Sequence, residues 1–359
     1  LVIGAQKEEI MQNDAKLTPV RDAHRFDEKA LSAYLQSNLE GFEEPLTVEQ
    51  FEGGQSNPTF LLSTENKRYV LRKKPPGKLL PSAHQVEREY RVMKALQKTE
   101  VPVPAMLLLC ENETVIGTPF FVMEYVRGRV LGDLTLPDMT PPERRAIYFD
   151  MVRVLAALHS VNYAALGLED YGKPGNYFSR QIGRWSKQYL AAKTDEIPSM
   201  ERLMEYLPAN VPADDTSCIV HGDFRMENML FHPQEPKVVA LLDWELSTLG
   251  HPLGDLGYSC MPYHAGVAGK LSLEGWIGQQ TGIPTESEFV AEYCRLTGRE
   301  NIPNWNFYLA FSFFRLASIL QGVYQRGLIG IASSTEALER GSLARSIADI
   351  AWSLVEDHR

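Results

Sequence analysis

Two short stretches of this chain carry residues whose types and spacing could do chemistry. Residues 219–230 read I-V-H-G-D-F-R-M-E-N-M-L, and residues 241–245 read L-L-D-W-E. Asp223 is followed five residues later by Asn228, and Asp243 stands at the end of a second apolar run. Phoshoryl transfer from a nucleotide uses this arrangement: one carboxylate receives the acceptor hydroxyl's proton, while an amide and a second carboxylate hold magnesium against the triphosphate. Asp223 follows an apolar stretch, which puts it on the loop at a strand's end, where it would be the base. A hydroxyl of pKa far above 7 is a poor nucleophile, so a carboxylate that orients it and takes its proton late is useful. Asn228 and Asp243 are the hard oxygen ligands that magnesium requires. A hairpin of residues 229–231 against 238–242 would bring them together. Arg225 could neutralise charge on the moving phosphoryl group, and His221 would support the loop through hydrogen bonds. The bare H-x-D-x-x-x-x-N spacing is weak alone. The competing reading is a surface loop whose polar residues cap turns.

The elements that must position these residues follow from periodicity. Asp27 can cap a helix whose apolar positions Leu31, Tyr34, Leu35 and Leu39 fall at three- and four-residue steps, with Gly41 as its stop. The period then changes, and 46–51, 59–64 and 68–73 read as strands. Val86, Tyr90, Met93 and Leu96 share one face of a further helix, and strands near 105–110 and 118–126 complete a β-rich first third. After Arg127-Gly128 the chain is mostly helical, over 142–160, 176–192, 286–296, 307–324 and 335–354. Short strand signals at 217–220, 229–231 and 238–242 bracket the chemistry. The expected organisation is α+β: a small β-rich lobe over 1–126, with 1–20 disordered or an extension, and a large helical lobe over 127–359. Nucleotide sites commonly occupy the cleft between such lobes.

Composition narrows the classes further. The 359 residues are 44% hydrophobic and 23% charged, as in soluble globular proteins. The net charge of -10 argues against wholesale nucleic-acid binding. No apolar run approaches the ~18 residues that span a bilayer, and the first residues carry no signal-peptide pattern. The expectation is therefore a cytoplasmic protein with no membrane and no nucleic-acid partner. The four cysteines, Cys110, Cys218, Cys260 and Cys294, form no C-x-x-C pair and read as incidental thiols of a reducing compartment.

The segment from His221 to Asn228, followed by Leu242-Asp243-Trp244-Glu245, resembles the aminoglycoside phosphotransferase and choline kinase superfamily, from about residue 25 onward. More narrowly, Phe51-Glu52-Gly53-Gly54-Gln55-Ser56-Asn57, Tyr69-Val70-Leu71-Arg72, and Phe314-Arg315 with Gly322 and Arg326 resemble the phosphotransferase-type domain associated with acyl-CoA dehydrogenases. The resemblance implies a bilobal protein-kinase-like fold, with ATP and Mg2+ as cofactors. It implies that Gly53, Gly54, Ser56 and Asn57 lie in the loop that covers the phosphates with backbone amides. It puts Arg72 where the family usually has a lysine on the α- and β-phosphates. Arginine keeps the charge but is not equivalent to lysine. Glu89 would be the ion-pair partner of Arg72, with Glu87 as the register alternative, or either could belong to a solvated helix face. The backbone of Glu124 and Val126 would bind adenine at the hinge. Asp255 would brace the catalytic loop, or equally N-cap a following helix.

Only 11 residues separate Asp243 from Asp255, too few for the activation segment that holds a peptide in protein kinases. A small-molecule hydroxyl is the expected acceptor. Arg315 and Arg326, with Tyr258 and Tyr263 nearby, would contact a hydroxylated carboxylic acid or its CoA thioester; alternatively, Arg315 is a structural ion-pair partner and the aromatics are core. Two further functions stay open: an aminoglycoside or choline-type kinase, and a non-catalytic nucleotide-binding pseudokinase. By family association, an acyl-CoA dehydrogenase is a candidate partner.

Overall fold

The computed structural model describes residues 16–52, 57–75, 84–266, 272–330 and 337–356. In chain order these form β1 (Leu17–Thr18), α1 (Glu28–Asn38), β2 (Thr47–Phe51), β3 (Thr59–Ser63), β4 (Arg68–Lys73), α2 (Val86–Leu96), β5 (Met106–Cys110), β6 (Phe120–Glu124) and β7 (Arg129–Val130). There follow α3 (Pro141–His159), α4 (Tyr177–Ala192), α5 (Pro198–Ala209), β8 (Cys218–Val220), β9 (Met229–Phe231), β10 (Val238–Leu241), β11 (Thr248–Gly250) and α6 (Pro252–Cys260). Last come α7 (Glu286–Thr297), α8 (Trp305–Leu328), α9 (Ala337–Ser342) and α10 (Ala344–Ser353). The α+β class expected from the sequence is found.

The chain divides into two compact units. The first runs to Leu131 and takes in Glu227–Glu245; the second comprises Gly132–Met226 and Leu246–Arg359. The sequence reading instead drew its boundary after residue 126 and gave the whole catalytic segment to the helical part. Backbone pairing is the reason for the difference. β7 pairs with β9 through Arg129 and Phe231, β9 pairs with β10, and the Leu241 amide donates to the Pro102 carbonyl at 2.8 Å.

The first unit is built on an antiparallel six-stranded sheet of order β1-β2-β3-β4-β6-β5. Asp27 starts α1 by accepting from the Lys29 and Ala30 amides, both at 3.0 Å, which satisfies donors that a helix start leaves open. Leu31 and Leu35 of α1 pack with Phe60, Leu62, Leu71 and Phe120 from the sheet. Fully burying one such leucine stabilises by about 1.5–3 kcal/mol. Along β4, the buried Leu71 belongs to this cluster, and its neighbour Arg72 points to the other face, because successive strand residues alternate. Residues 1–15, most of the expected N-terminal extension, lie outside the described residues, and Leu17–Thr18 pair with β2.

The second unit is helical. Capping boxes begin α3 (Thr140 with Glu143) and α7 (Thr285 with Glu288). The sequence showed no apolar run near bilayer length, yet α8 has 24 residues and is apolar enough by length and composition to cross a membrane. The most apolar window of α8 is 67% buried inside the protein, so its apolar character is that of a core helix. The single helix expected over 335–354 is two, α9 and α10. Gly341 presses on the backbone of Tyr324 in α8, where an added Cβ would lie 2.5 Å from Tyr324 Cβ.

Candidate active site

In the first unit, Arg72 of β4 lies between two carboxylates. Its Nε is 2.9 Å from Glu89 Oε2, and its Nη2 donates to Asp243 Oδ1 at 2.6 Å. Glu89 thus sits on the face of α2 turned to the sheet, while Glu87 pairs with Lys74 at 3.0 Å, which resolves the register. The second oxygen of Glu89 accepts from Asn57 Nδ2 at 2.7 Å, and Asn57 Oδ1 meets His84 Nδ1 at 3.0 Å. Asn57 is fully buried, so its side chain supports Glu89 rather than reaching for phosphate. Gly53, Gly54 and Ser56, read as phosphate-covering, lie outside the described residues.

The β9–β10 hairpin brings Asn228 and Asp243 close, with the Leu242 amide donating to the Asn228 carbonyl at 2.8 Å. Asp243 adopts a left-handed backbone, φ 64°. Such conformations cost on the order of 1 kcal/mol and cluster at functional positions. A cavity of about 300 Å³ opens among these groups. Its lining includes the apolar Val70, Phe121 and Met123, the polar Arg72, Glu89, Asn228 and Asp243, and also Glu124 and Val126. That mixture of apolar lining and few polar groups is typical of small-ligand sites.

Burial pulls the Arg72 guanidinium down, but Glu89, Asp243 and Glu245 outweigh it, and its pKa lies above the ordinary value. Burial pushes the Glu89 carboxyl up to about 7, against the pull of Arg72 and with a further push from Asp243 and Glu245. Glu89, Asp243 and Glu245 thus all favour the charged Arg72 guanidinium. Among the described residues, no group of three or more His, Cys, Asp or Glu side chains could hold a metal alone. Asn228 and Asp243 fit a magnesium ion that completes its shell with water and phosphate oxygens, which is its usual mode.

In the second unit, α6 grips the loop that bears Asp223. Asp255 accepts from the amides of His221 at 2.6 Å and Gly222 at 2.9 Å. Tyr258 Oη donates to Asp223 Oδ1 at 2.6 Å, and Ser259 Oγ donates to the Phe224 carbonyl at 3.0 Å. Asp255 lies inside α6, whose N-cap is His251; the N-cap reading of Asp255 is thus overturned and it braces the loop. His221 is buried, and its Nδ1 accepts from the Asp223 amide at 3.3 Å. Arg225 Nε stands 3.2 Å from Asp223 Oδ2. Gly222 has φ 81°, and a Cβ there would come within 2.6 Å of the Leu246 carbonyl oxygen, so the turn before Asp223 requires glycine.

Burial pushes the Asp255 carboxyl up, but the His159 imidazole, His221 and the Gly222 amide outweigh it and hold it below the ordinary value. A depressed carboxyl contributes stability that is present above its unfolded pKa of about 3.9 and is lost as the pH falls through the folded value. Asp255→Asn should cost about 1–3 kcal/mol at pH 7, since one of the two buried amides loses its acceptor and meets an amide donor instead. Denaturant titrations should show this gap narrowing below about pH 4; a gap independent of pH would contradict the role given to the carboxylate.

The residues expected to meet an acceptor do not converge. Arg315 is only 6% exposed and donates through Nη2 to the Gly222 carbonyl, with its guanidinium 5.5 Å from the Trp185 ring and 5.4 Å from the Tyr258 ring. It anchors the loop instead of offering an exposed charge. Arg326 is exposed near the end of α8, eleven residues and about 16 Å further along the helix. Tyr263 packs against Phe289 with a buried hydroxyl, and burial pushes its ionisation up. Tyr258 donates to Asp223. Ser259, Trp185 and Asn57's support of Glu89 were missed, since a serine in a helix or a tryptophan in an apolar stripe carries no signal of its tertiary contact.

The profile of the phosphotransferase enzyme family matches residues 47–291. Acyl-CoA dehydrogenase family member 10 of Mus musculus is 48% identical over 338 residues, covering 93% of this chain and 32% of that protein. The chain therefore spans about a third of that relative's length. A crystal structure of a "putative aminoglycoside phosphotransferase" from Ralstonia eutropha is 52% identical, covers 93% of this chain and 99% of its own, and superposes with a TM-score of 0.86. Choline kinase from Cryptosporidium parvum shares the fold at a TM-score of 0.62 and 13% identity, over 92% of this chain and 97% of its own. With its protein-kinase-like fold, the chain belongs to the phosphotransferase enzyme family.

Proposed function

We propose that the chain is an ATP- and magnesium-dependent kinase of a small-molecule hydroxyl. The observation that carries this reading is the Glu89–Arg72–Asp243 series of ion pairs lining the cavity, with Asn228 also in its lining. The apolar lining residues would take the adenine, and the backbone of Glu124 and Val126 would bond its edge. Arg72, held in place by Glu89, would present its cation to the phosphates. Asn228 and Asp243 would hold magnesium, which supplies charge neutralisation on the phosphate oxygens. Asp223 would orient the acceptor hydroxyl and take its proton as its oxygen bonds the γ-phosphorus and the bond from that phosphorus to the β–γ bridging oxygen breaks, with ADP leaving, and Arg225 would offset charge on the transferred group.

For the acceptor, the reading is a hydroxy acid or a hydroxyacyl-CoA. Its support is the likeness to proteins named as acyl-CoA dehydrogenases over 93% of this chain, which also makes an acyl-CoA dehydrogenase the proposed partner. Four buried free cysteines support a reducing, cytoplasmic location. The test is ADP release by the purified chain with hydroxy acids, hydroxyacyl-CoAs, choline and aminoglycosides, against Asp223→Ala and Asp243→Ala controls. Turnover of aminoglycosides alone would sink the acyl reading. Release no greater than in the two variants, with every acceptor, would leave a nucleotide-binding module and no kinase.

A further inference from the structure

The base is held from an unexpected side. α6 places Asp255 and Tyr258 three residues apart, on one helix face, and both act on the same loop. Asp255 fixes the backbone at His221 and Gly222, while Tyr258 reaches the Asp223 carboxylate through its hydroxyl at 2.6 Å. Behind Tyr258 lies Arg315, layered between the Tyr258 and Trp185 rings and bonded to the Gly222 carbonyl. The Tyr258 ring is thereby clamped by a cation that is itself tied to the loop it serves.

We propose that Tyr258 is a positioning residue for the base: its hydroxyl occupies Asp223 Oδ1, fixes the carboxylate's rotation, and assigns proton acceptance to Oδ2. This rests on Asp223 being the base. Two consequences follow from elementary chemistry. With Oδ1 accepting from Tyr258 and Oδ2 from Arg225 Nε at 3.2 Å, the carboxylate cannot rotate freely, so Oδ2 keeps one direction toward the acceptor hydroxyl. A donor to the charged form also stabilises that form, which keeps the base ionised at lower pH. The charged groups facing the Tyr258 hydroxyl are Asp223, Arg315 and Arg225, and burial together with Asp223 pushes its own ionisation far up, so it remains a donor at any working pH. Arg315 and Arg225 oppose that push, and a phenol polarised by nearby cations donates more strongly.

Tyr258→Phe tests this, because the ring keeps its place against Arg315 and only the hydroxyl is lost. With an acceptor in hand, kcat should fall about 10- to 100-fold with the KM for ATP unchanged, and the acidic limb of the kcat profile should move to higher pH. A purely structural tyrosine would leave that limb in place. Independently of turnover, the Asp223 carboxyl can be followed by carbon-13 NMR of the aspartate-labelled full chain, assigned with Asp223→Asn; its titration should move upward in Tyr258→Phe. If wild type shows no acceptor-dependent ADP release sensitive to Asp223, the kinase reading fails while the titration still judges the bond. An Asp223 titration identical in wild type and a folded Tyr258→Phe overturns the proposal.

Discussion

Asp223→Asn lowers kcat by about 10²- to 10⁴-fold, the range over which a positioned base contributes, and leaves nucleotide affinity as it was. Asparagine matches aspartate in size and can still accept from Tyr258, so the α6 clamp on the loop persists. What is lost is the ability to take a proton. Its amide also turns a donor toward Arg225 Nε, which stands 3.2 Å from the carboxylate in the native chain, so the arginine must move away. The cavity proposed for the nucleotide is lined by residues such as Arg72, Glu89, Asn228 and Asp243, and Asp223 is not among them. Equilibrium binding of a fluorescent ATP analogue, measured beside acceptor-dependent ADP release, separates the two effects. A variant that turns over within about threefold of wild type would remove Asp223 from the role of base.

Much of the fold was legible because its signals are local. Asp27 capping α1, the apolar stripe of α2 and the residues of β3 and β4 each depend on neighbours within a few positions. The α6 helix was illegible for a physical reason. It contains Gly254 and Gly257, poor helix formers, yet a Cβ at Gly257 would lie 2.8 Å from the Tyr308 carbonyl oxygen of α8 and one at Gly254 3.0 Å from the Tyr177 ring. Close packing demanded glycine where propensity would have forbidden a helix. For the site, Asp223, Asn228 and Asp243 announce themselves through residue type and spacing. The Arg72 partner could be narrowed only to Glu87 or Glu89, because two residues on a helix turn by about 200° and which one faces a strand is a tertiary fact. Arg315 stayed open between two roles for a related reason: a cation in an aromatic helix is compatible with a ligand or with a buried carbonyl, and the Gly222 carbonyl is 93 positions away in sequence.

Asp243→Asn should have the other large effect, and in a different quantity. Asp243 contributes the only carboxylate of the proposed metal pair, since Asn228 is neutral. Losing it removes the charge that draws magnesium to the cavity, a contribution worth several kcal/mol of transition-state stabilisation and so about a thousandfold in rate. The dependence on magnesium should shift with it, so that higher concentrations are needed for both nucleotide binding and ADP release. Stability should change little. Asp243 pushes the Glu89 carboxyl up but also pairs with Arg72 Nη2 at 2.6 Å, so its neutral replacement relieves one repulsion and weakens one attraction, while Arg72 keeps Glu89 at 2.9 Å. Thermal unfolding without nucleotide should therefore place Asp243→Asn near wild type, while magnesium titrations place it far below in binding and turnover. An unchanged magnesium dependence would show that the cation is held elsewhere, and a marked loss of stability would show that the Arg72–Asp243 pair serves the fold before it serves the nucleotide.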